Sequence, residues 1–487
     1  MKEKSITFWE LVLMNVSALY GIRWIAKSTS DSFGLGLGAI PMWIIFMLIF
    51  FVPQALMCAE LATAYPTDGG LNDWVKIAFG TKYGFFGLND WVKITFGTKY
   101  GFLVSWMHWT ALIFWYASFL TFFSINFTYM IGKPELADNK ILVLIMSLVV
   151  FWALSFASMR GMKFGKYFTS VGALGSVVPT VCLIGMAILA VVVFKKAPSA
   201  SEYTIATLTP KLNMNSLVAI SGITFAYTGA EFTANFASEM KNPQKDYPRA
   251  IMIAAGTICV LYVIGSVCMT MLMPTSEIFA YTGTLDALVI ACNLLEVPQF
   301  FVQIVAFGIT LSIFGAVVLY IAQPTKMLFG YSEPGIFPEK ITKKNEHDIP
   351  EKAILFQAIL VSLLLAGVAV FPAVETIYNV LITMTALTSL FPYVLLFAAY
   401  IKIKRKKVDK PGLYQMTKNK KWGCFLGYME LVICVIAIVC SALPVMTTFK
   451  ENVVYEVEMI GGGLLVIVSG LWLWKRSGLK NKTFEIE

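Results

Sequence analysis

The sequence has 487 residues, of which 58% are hydrophobic and only 14% charged, against roughly 25% charged in ordinary soluble domains. That balance excludes a chain solvated by water alone. The net charge of +9 does not indicate nucleic acid, because Lys and Arg are scattered through short connectors between apolar runs and form no contiguous basic domain.

Apolar runs of about 20 residues recur along the chain, the length needed to cross a hydrocarbon core of about 30 Å. In chain order they predict helices near 8–28, 38–64, 103–131, 141–158, 167–194 and 216–238. Six more are expected near 250–273, 298–329, 353–371, 376–401, 424–446 and 456–475, with a short amphipathic piece near 285–297 at the interface. The first run carries Arg23 and Lys27 and no small-residue cleavage site, so it reads as a retained helix and not a signal peptide. No soluble segment of domain size separates the runs, so residues 1–487 read as a single all-α integral membrane domain of about twelve transmembrane helices. With an even number of spans and both termini cytoplasmic, most of the 38 Lys and Arg fall on the inner side. The densest block, Lys402 to Lys421, then faces anionic lipid headgroups.

One repeat stands out. GLNDWVKIAFGTKYGFF at 70–86 is followed at once by GLNDWVKITFGTKYGFL at 87–103, within the expected cytoplasmic link between helices 2 and 3. Surface loops tolerate insertions well, which favours an accommodated tandem duplication; a disturbed inner mouth is the alternative. The eight cysteines lie mostly in apolar runs without a CxxC pair and read as small core residues.

Helices 1 and 6 each carry a charge two residues after a glycine. In the first, Ser17, Ala18, Leu19, Tyr20, Gly21, Ile22 and Arg23 put a glycine and a guanidinium inside a span; in the sixth, Phe225, Ala226, Tyr227, Thr228, Gly229, Ala230 and Glu231 put a glycine and a carboxylate there. A glycine lowers the cost of unwinding, and unwound backbone exposes N–H and C=O groups that protein, water or a solute must satisfy. Half-helix N-termini favour a carboxylate, while free carbonyls and a nearby acid favour an ammonium group, so an amino acid suits both. The expected substrate-binding set is therefore Ser17, Ala18, Tyr20, Gly21, Ile22, Arg23, Phe225, Tyr227, Thr228, Gly229 and Glu231.

The stretch that begins at Phe225, with Gly229, Glu231, Glu239, Asn242, Pro243 and Pro248, resembles the sixth-helix signature of the amino acid-polyamine-organocation permeases. Cys58-Ala59-Glu60-Leu61-Ala62-Thr63-Ala64-Tyr65-Pro66 followed by Gly69-Gly70 is similar to that family's inner end of helix 2. Gln323-Pro324-Thr325-Lys326 with Gly335-Ile336-Phe337-Pro338 is a weaker match. Within the family the chain looks most like the glutamate/γ-aminobutyrate antiporter branch. The resemblance implies a leucine-transporter-like 5+5 inverted repeat, with half-repeats at about 8–194 and 216–401 and two further helices at about 424–475. It also implies helices 1 and 6 unwound at midplane and alternating access by rocking of bundles. In helix 1 the family's Gly-Ser-Gly element is replaced by Ile22-Arg23-Trp24, so the usual backbone cradle for a carboxylate is altered.

Single residues keep two readings. Glu231 is a gating or proton-linked carboxylate, or a structural acid capped by backbone N–H groups. Arg23 contacts a substrate carboxylate or pairs with Glu231, or it snorkels to the outer face. Phe225 gates the site or simply packs; Tyr20, Tyr227 and Thr228 line the site or hydrogen-bond between helices. His108, among Trp106, Trp109 and Trp115, reads as a satisfied core or interfacial histidine before a proton relay. Glu60 and Glu430 are expected to anchor cytoplasmic contacts. Helix 8 has no charged residue from Gln303 to Lys326, which disfavours a dicationic substrate.

The expected function is secondary active transport of amino acids across the cytoplasmic membrane by exchange for a related amino acid or decarboxylated amine. Proton-coupled uptake is the alternative mode, and a non-transporting solute sensor the alternative class. No GxxxxGK[ST] loop, metal spacing or catalytic cluster is present, so neither an enzyme nor a cofactor is expected. The expected partners are the substrate and membrane lipid, not nucleic acid; a homo-oligomer is compatible with the composition.

Overall fold

A computed structural model describes residues 7–480 except 33, 65–96, 161–174, 176, 212, 231–239, 241, 331, 348, 370, 372, 406–413 and 447. The tandem repeat at 70–86, most of its second copy, and Glu231 lie outside the described residues.

Almost all of the described chain is helical. The first apolar run forms two pieces, α1 (Phe8–Leu19) and α2 (Arg23–Thr29). Thr7 starts α1 with a capping box to Glu10, satisfying two of the first amides. The second run forms α3 (Ala39–Phe46) and α4 (Val52–Ala64), joined by a π-helical turn at Met47–Phe51. Then come α5 (Thr98–Met130), α6 (Lys140–Ser158), α7 (Val177–Val193) and α8 (Met214–Ala226). The remainder is α9 (Pro243–Leu272), α10 (Gly283–Leu295), α11 (Phe300–Gly330), α12 (Glu351–Val368), α13 (Val374–Arg405), α14 (Lys420–Ser441) and α15 (Phe449–Arg476).

Eight helical spans among the described residues are long and apolar enough to cross a membrane, and four shorter apolar helices accompany them. The longest, α5, has 33 residues and so extends about 50 Å, beyond a hydrocarbon core of about 30 Å. Helices α5 and α13 are central, packed on each other and on α11, α14 and α8. At the periphery, Ile141, Ile145 and Val149 of α6, Val432, Ile436 and Val439 of α14, and Leu464, Leu465 and Val468 of α15 face outward. An apolar exterior is what lipid accepts.

Several expected boundaries shift. The run at 456–475 begins earlier, at Phe449, because Thr448 caps the Glu451 amide and Asn452 pairs both ways with the Met446 backbone. The piece expected at the interface forms α10, which buries Leu285, Leu288, Ala291 and Cys292 inside the protein.

Candidate functional site

Both glycine-bearing runs leave the helix at their glycines. Tyr20 caps α1 in an extended conformation (φ −81°, ψ 128°), and helix resumes only at Arg23. In the second, α8 ends at Ala226, and Gly229 takes φ +114°. That is a left-handed value which an L side chain adopts only at a cost of about 1–3 kcal/mol.

Each break frees an amide, and each amide finds a tyrosine. Gly21 N–H donates to the Tyr262 hydroxyl of α9 at 3.2 Å. Gly229 N–H donates to the Tyr393 hydroxyl of α13 at 2.7 Å. Buried amides must be paired in an apolar interior, so these two phenols hold the breaks open as non-helical backbone.

The breaks also face each other. The rings of Trp24 and Phe225 meet edge-on at 5.6 Å, and Gly222 on α8 leaves room for that indole: a Cβ there would lie 3.3 Å from the Trp24 ring. Tyr262 joins both sides, lying 5.0 Å from the Tyr20 ring and stacked at 4.1 Å on Trp43. Trp43 in turn meets Tyr227 edge-on.

The expected hydroxyls are engaged in interhelical or local bonds. Tyr20 OH pairs with Thr180 Oγ1 of α7 at 2.6 Å, and Tyr227 OH donates to the Trp43 carbonyl at 2.9 Å. Thr228 Oγ1 donates back to the Phe225 carbonyl at 2.7 Å. Ile22 is buried at the start of α2, and Phe225 is half-buried. Ser17 and Ala18 belong to the last turns of α1.

Arg23 does not snorkel. It is 4% exposed, and its guanidinium carbon sits 4.2 Å from the Phe119 ring centre and 5.4 Å from that of Trp24. Its Nη1 has no hydrogen-bond partner among the described residues. The side chain turns inward because α5 presents an aromatic face to it, and cation–π contact offsets part of the desolvation. One helical turn on, Lys27 is also 4% exposed and donates to Asn379 Oδ1 of α13 at 2.6 Å.

Sequence reasoning missed Lys27 as a site residue, together with Asn379, Glu375, Tyr262, Tyr393 and Phe119. Lys27 carried a usable signal, a second cation four residues after Arg23 and therefore on the same helix face.

Glu60 anchors contacts at one end of α4. Its carboxylate accepts from Lys404 Nζ at 2.5 Å, Tyr400 OH at 2.9 Å and Met416 N–H at 3.0 Å, tying α4 to α13 and the connector beyond it. Glu430 does not. It is fully buried in mid-α14, and neither oxygen has a partner among the described residues. The expectation made it an anchor for cytoplasmic contacts, whereas it lies ten residues into α14 in the packed interior. His108 is half-buried on α5, beside Trp109, whose Nε1 donates to Gln357.

A bundle of apolar helices whose first run is interrupted at Gly21, facing the end of α8 and the turn at Gly229, defines a polytopic membrane protein of the solute-carrier kind. The family model for amino acid permeases matches residues 6–465, and the chain belongs to that family. An uncharacterized transporter of Legionella pneumophila is 29% identical over 97% of both chains. A probable agmatine/putrescine antiporter of Lactococcus lactis is 23% identical over 93% of this chain and 92% of its own length. A glutamate/gamma-aminobutyrate antiporter of the same species is 23% identical over 85% of this chain and 79% of its own. This is therefore a transport protein of the amino acid permease family and not an enzyme.

Proposed function

We propose that this chain carries amino acids across the cytoplasmic membrane by secondary active transport, exchanging one for a related amino acid or amine. The observation that carries this reading is the pair of facing breaks at Gly21 and Gly229, each with a freed amide held by a replaceable tyrosine hydroxyl. A hydroxyl is a weaker acceptor than a carboxylate, so a substrate carboxylate can displace it at either amide.

The reading takes the fold as about twelve spans in a 5+5 inverted repeat, with both termini cytoplasmic and the site between helices 1, 3, 6, 8 and 10. Ser17, Ala18, Tyr20, Gly21, Ile22 and Arg23 supply one wall of the site; Phe225, Tyr227, Thr228, Gly229 and Glu231 supply the other. In the described conformation the Trp24–Phe225 contact and the Arg23–Phe119 stack close the gap between the walls. Opening to either side then requires the half-helix α2 to move against α8 and α5, as rocking bundles allow.

The test is counterflow. Purified protein in liposomes loaded with an unlabelled amino acid should take up labelled amino acid against its gradient. No uptake of any compound from a broad panel of amino acids and amines would contradict the proposal.

A further inference from the structure

We infer that the site demands a carboxylate on its substrate and reads it with the buried Arg23 guanidinium, so that amines lacking a carboxylate are rejected. This rests on the carrier reading and narrows its substrate class.

The two buried cations of α2 are unequally balanced. Arg23 and Lys27 lie one turn apart on α2, and a buried cation must be neutralised or it strongly destabilises its surroundings. Lys27 is provided for. Its ammonium donates to Asn379 Oδ1, and Glu375, one turn before Asn379 on α13, is the opposite charge acting on it. Arg23 has no such partner among the described residues. Its neighbours are the faces of Phe119 and Trp24 and the nearby hydroxyls of Tyr378 and Tyr262. Tyr262 already accepts the Gly21 amide, which places the guanidinium beside the helix break.

The unsatisfied groups around this point have a sign. Arg23 Nη1, Asn379 Nδ2 and the Tyr378 hydroxyl are buried and unpaired, and all three can donate; on the same two helices Glu375 Oε1, which can only accept when ionised, is unpaired too. Three idle donors around a surplus positive charge call for an anion with several lone pairs. A carboxylate offers two oxygens and about four acceptor sites in the plane that a guanidinium fork matches. The guanidinium carbon lies over the rings of Phe119 and Trp24, which attract its charge but offer its N–H groups no oxygen acceptor.

Substrate chemistry follows from this. A zwitterionic or acidic amino acid, or an ω-amino acid, brings the missing negative charge. A diamine or guanidino-amine brings only more positive charge beside Arg23, which has no ion-pair partner among the described residues, and like charge in a buried site is a strong means of exclusion. Arg23 also stands where the resemblance has a backbone cradle, so a guanidinium joins the Gly21 and Gly229 amides in holding the carboxylate.

The experiment is a competition panel in the counterflow assay, comparing amino acids that carry a single carboxylate with the amines formed by their decarboxylation, alongside ligand-induced thermal shifts on the same protein. Amino acids should compete at least about 100-fold better than the matched amines, the factor expected when a charge-assisted hydrogen-bonded contact is lost. Arg23→Gln should collapse that preference to within about tenfold. Arg23→Lys should restore it only in part, because an ammonium lacks the planar fork. If Arg23→Gln is not recovered folded, Arg23→Lys and Tyr378→Phe carry the test, each narrowing the preference. Amines that compete as well as amino acids in the unaltered protein would overturn this inference and leave the carrier reading standing. Absence of uptake for every compound would sink both.

Discussion

Tyr393→Phe removes one hydroxyl and leaves the Gly229 amide buried with nothing to donate to. The bond lost is 2.7 Å long, and an orphaned buried amide costs about 1–3 kcal/mol, a factor of about 5 to 150 in an equilibrium constant. The loss belongs to the unliganded conformation alone, because a bound carboxylate is expected to occupy the same amide. Thermal unfolding of purified protein in detergent, followed by intrinsic fluorescence with and without saturating substrate, separates the two states. The variant should be less stable than its parent when empty, and substrate should recover most of the deficit. In counterflow, half-saturation should move to lower substrate concentration, since the competing phenol is gone. An unchanged unfolding temperature, or a deficit of the same size with substrate bound, would refute the link between the tyrosine cap and the binding site.

Other outcomes follow from particular contacts. Glu60→Gln strips the counter-charge from Lys404, a pair with side chains only 10% and 13% exposed, and should cost about 3 kcal/mol. Limited proteolysis of the connector after α13 should show the resulting loosening. Glu430→Gln should leave the unfolding temperature equal or higher, because the buried carboxyl has no partner to lose; a drop of more than about 2 kcal/mol would mean that the carboxylate is paired. Deletion of residues 70–86, one copy of the tandem repeat, should leave counterflow within about twofold, as expected of a tolerated surface insertion. Glu231→Gln should lower transport or shift its pH dependence at unchanged expression; rates that do not change would remove this carboxyl from the mechanism.

The broken helices were legible because glycine beside a charge is out of place in an apolar span, at Gly21–Arg23 as at Gly229–Glu231. Their stabilisation was not. The tyrosines that hold the freed amides come from positions 241 and 164 residues away, and no local pattern marks one phenol in a long apolar helix as the partner of a distant glycine. Side-chain direction was equally hidden. From sequence, Arg23 could turn outward to water as well as inward; it is the Phe119 face on another helix that draws it in. The Glu60 anchor was readable from its place at a helix end. Glu430 was misjudged because its depth depends on α14 starting at Lys420, ten residues earlier.

The central claim, a substrate site at the two helix interruptions, is tested most directly by a substrate-bound structure at a resolution that shows single side chains. The account expects ligand density between Trp24 and Phe225, with a carboxylate on Arg23 and at least one of the Tyr262 and Tyr393 hydroxyls displaced from its glycine amide. Density elsewhere in the bundle, with both phenols still on Gly21 and Gly229, would contradict it.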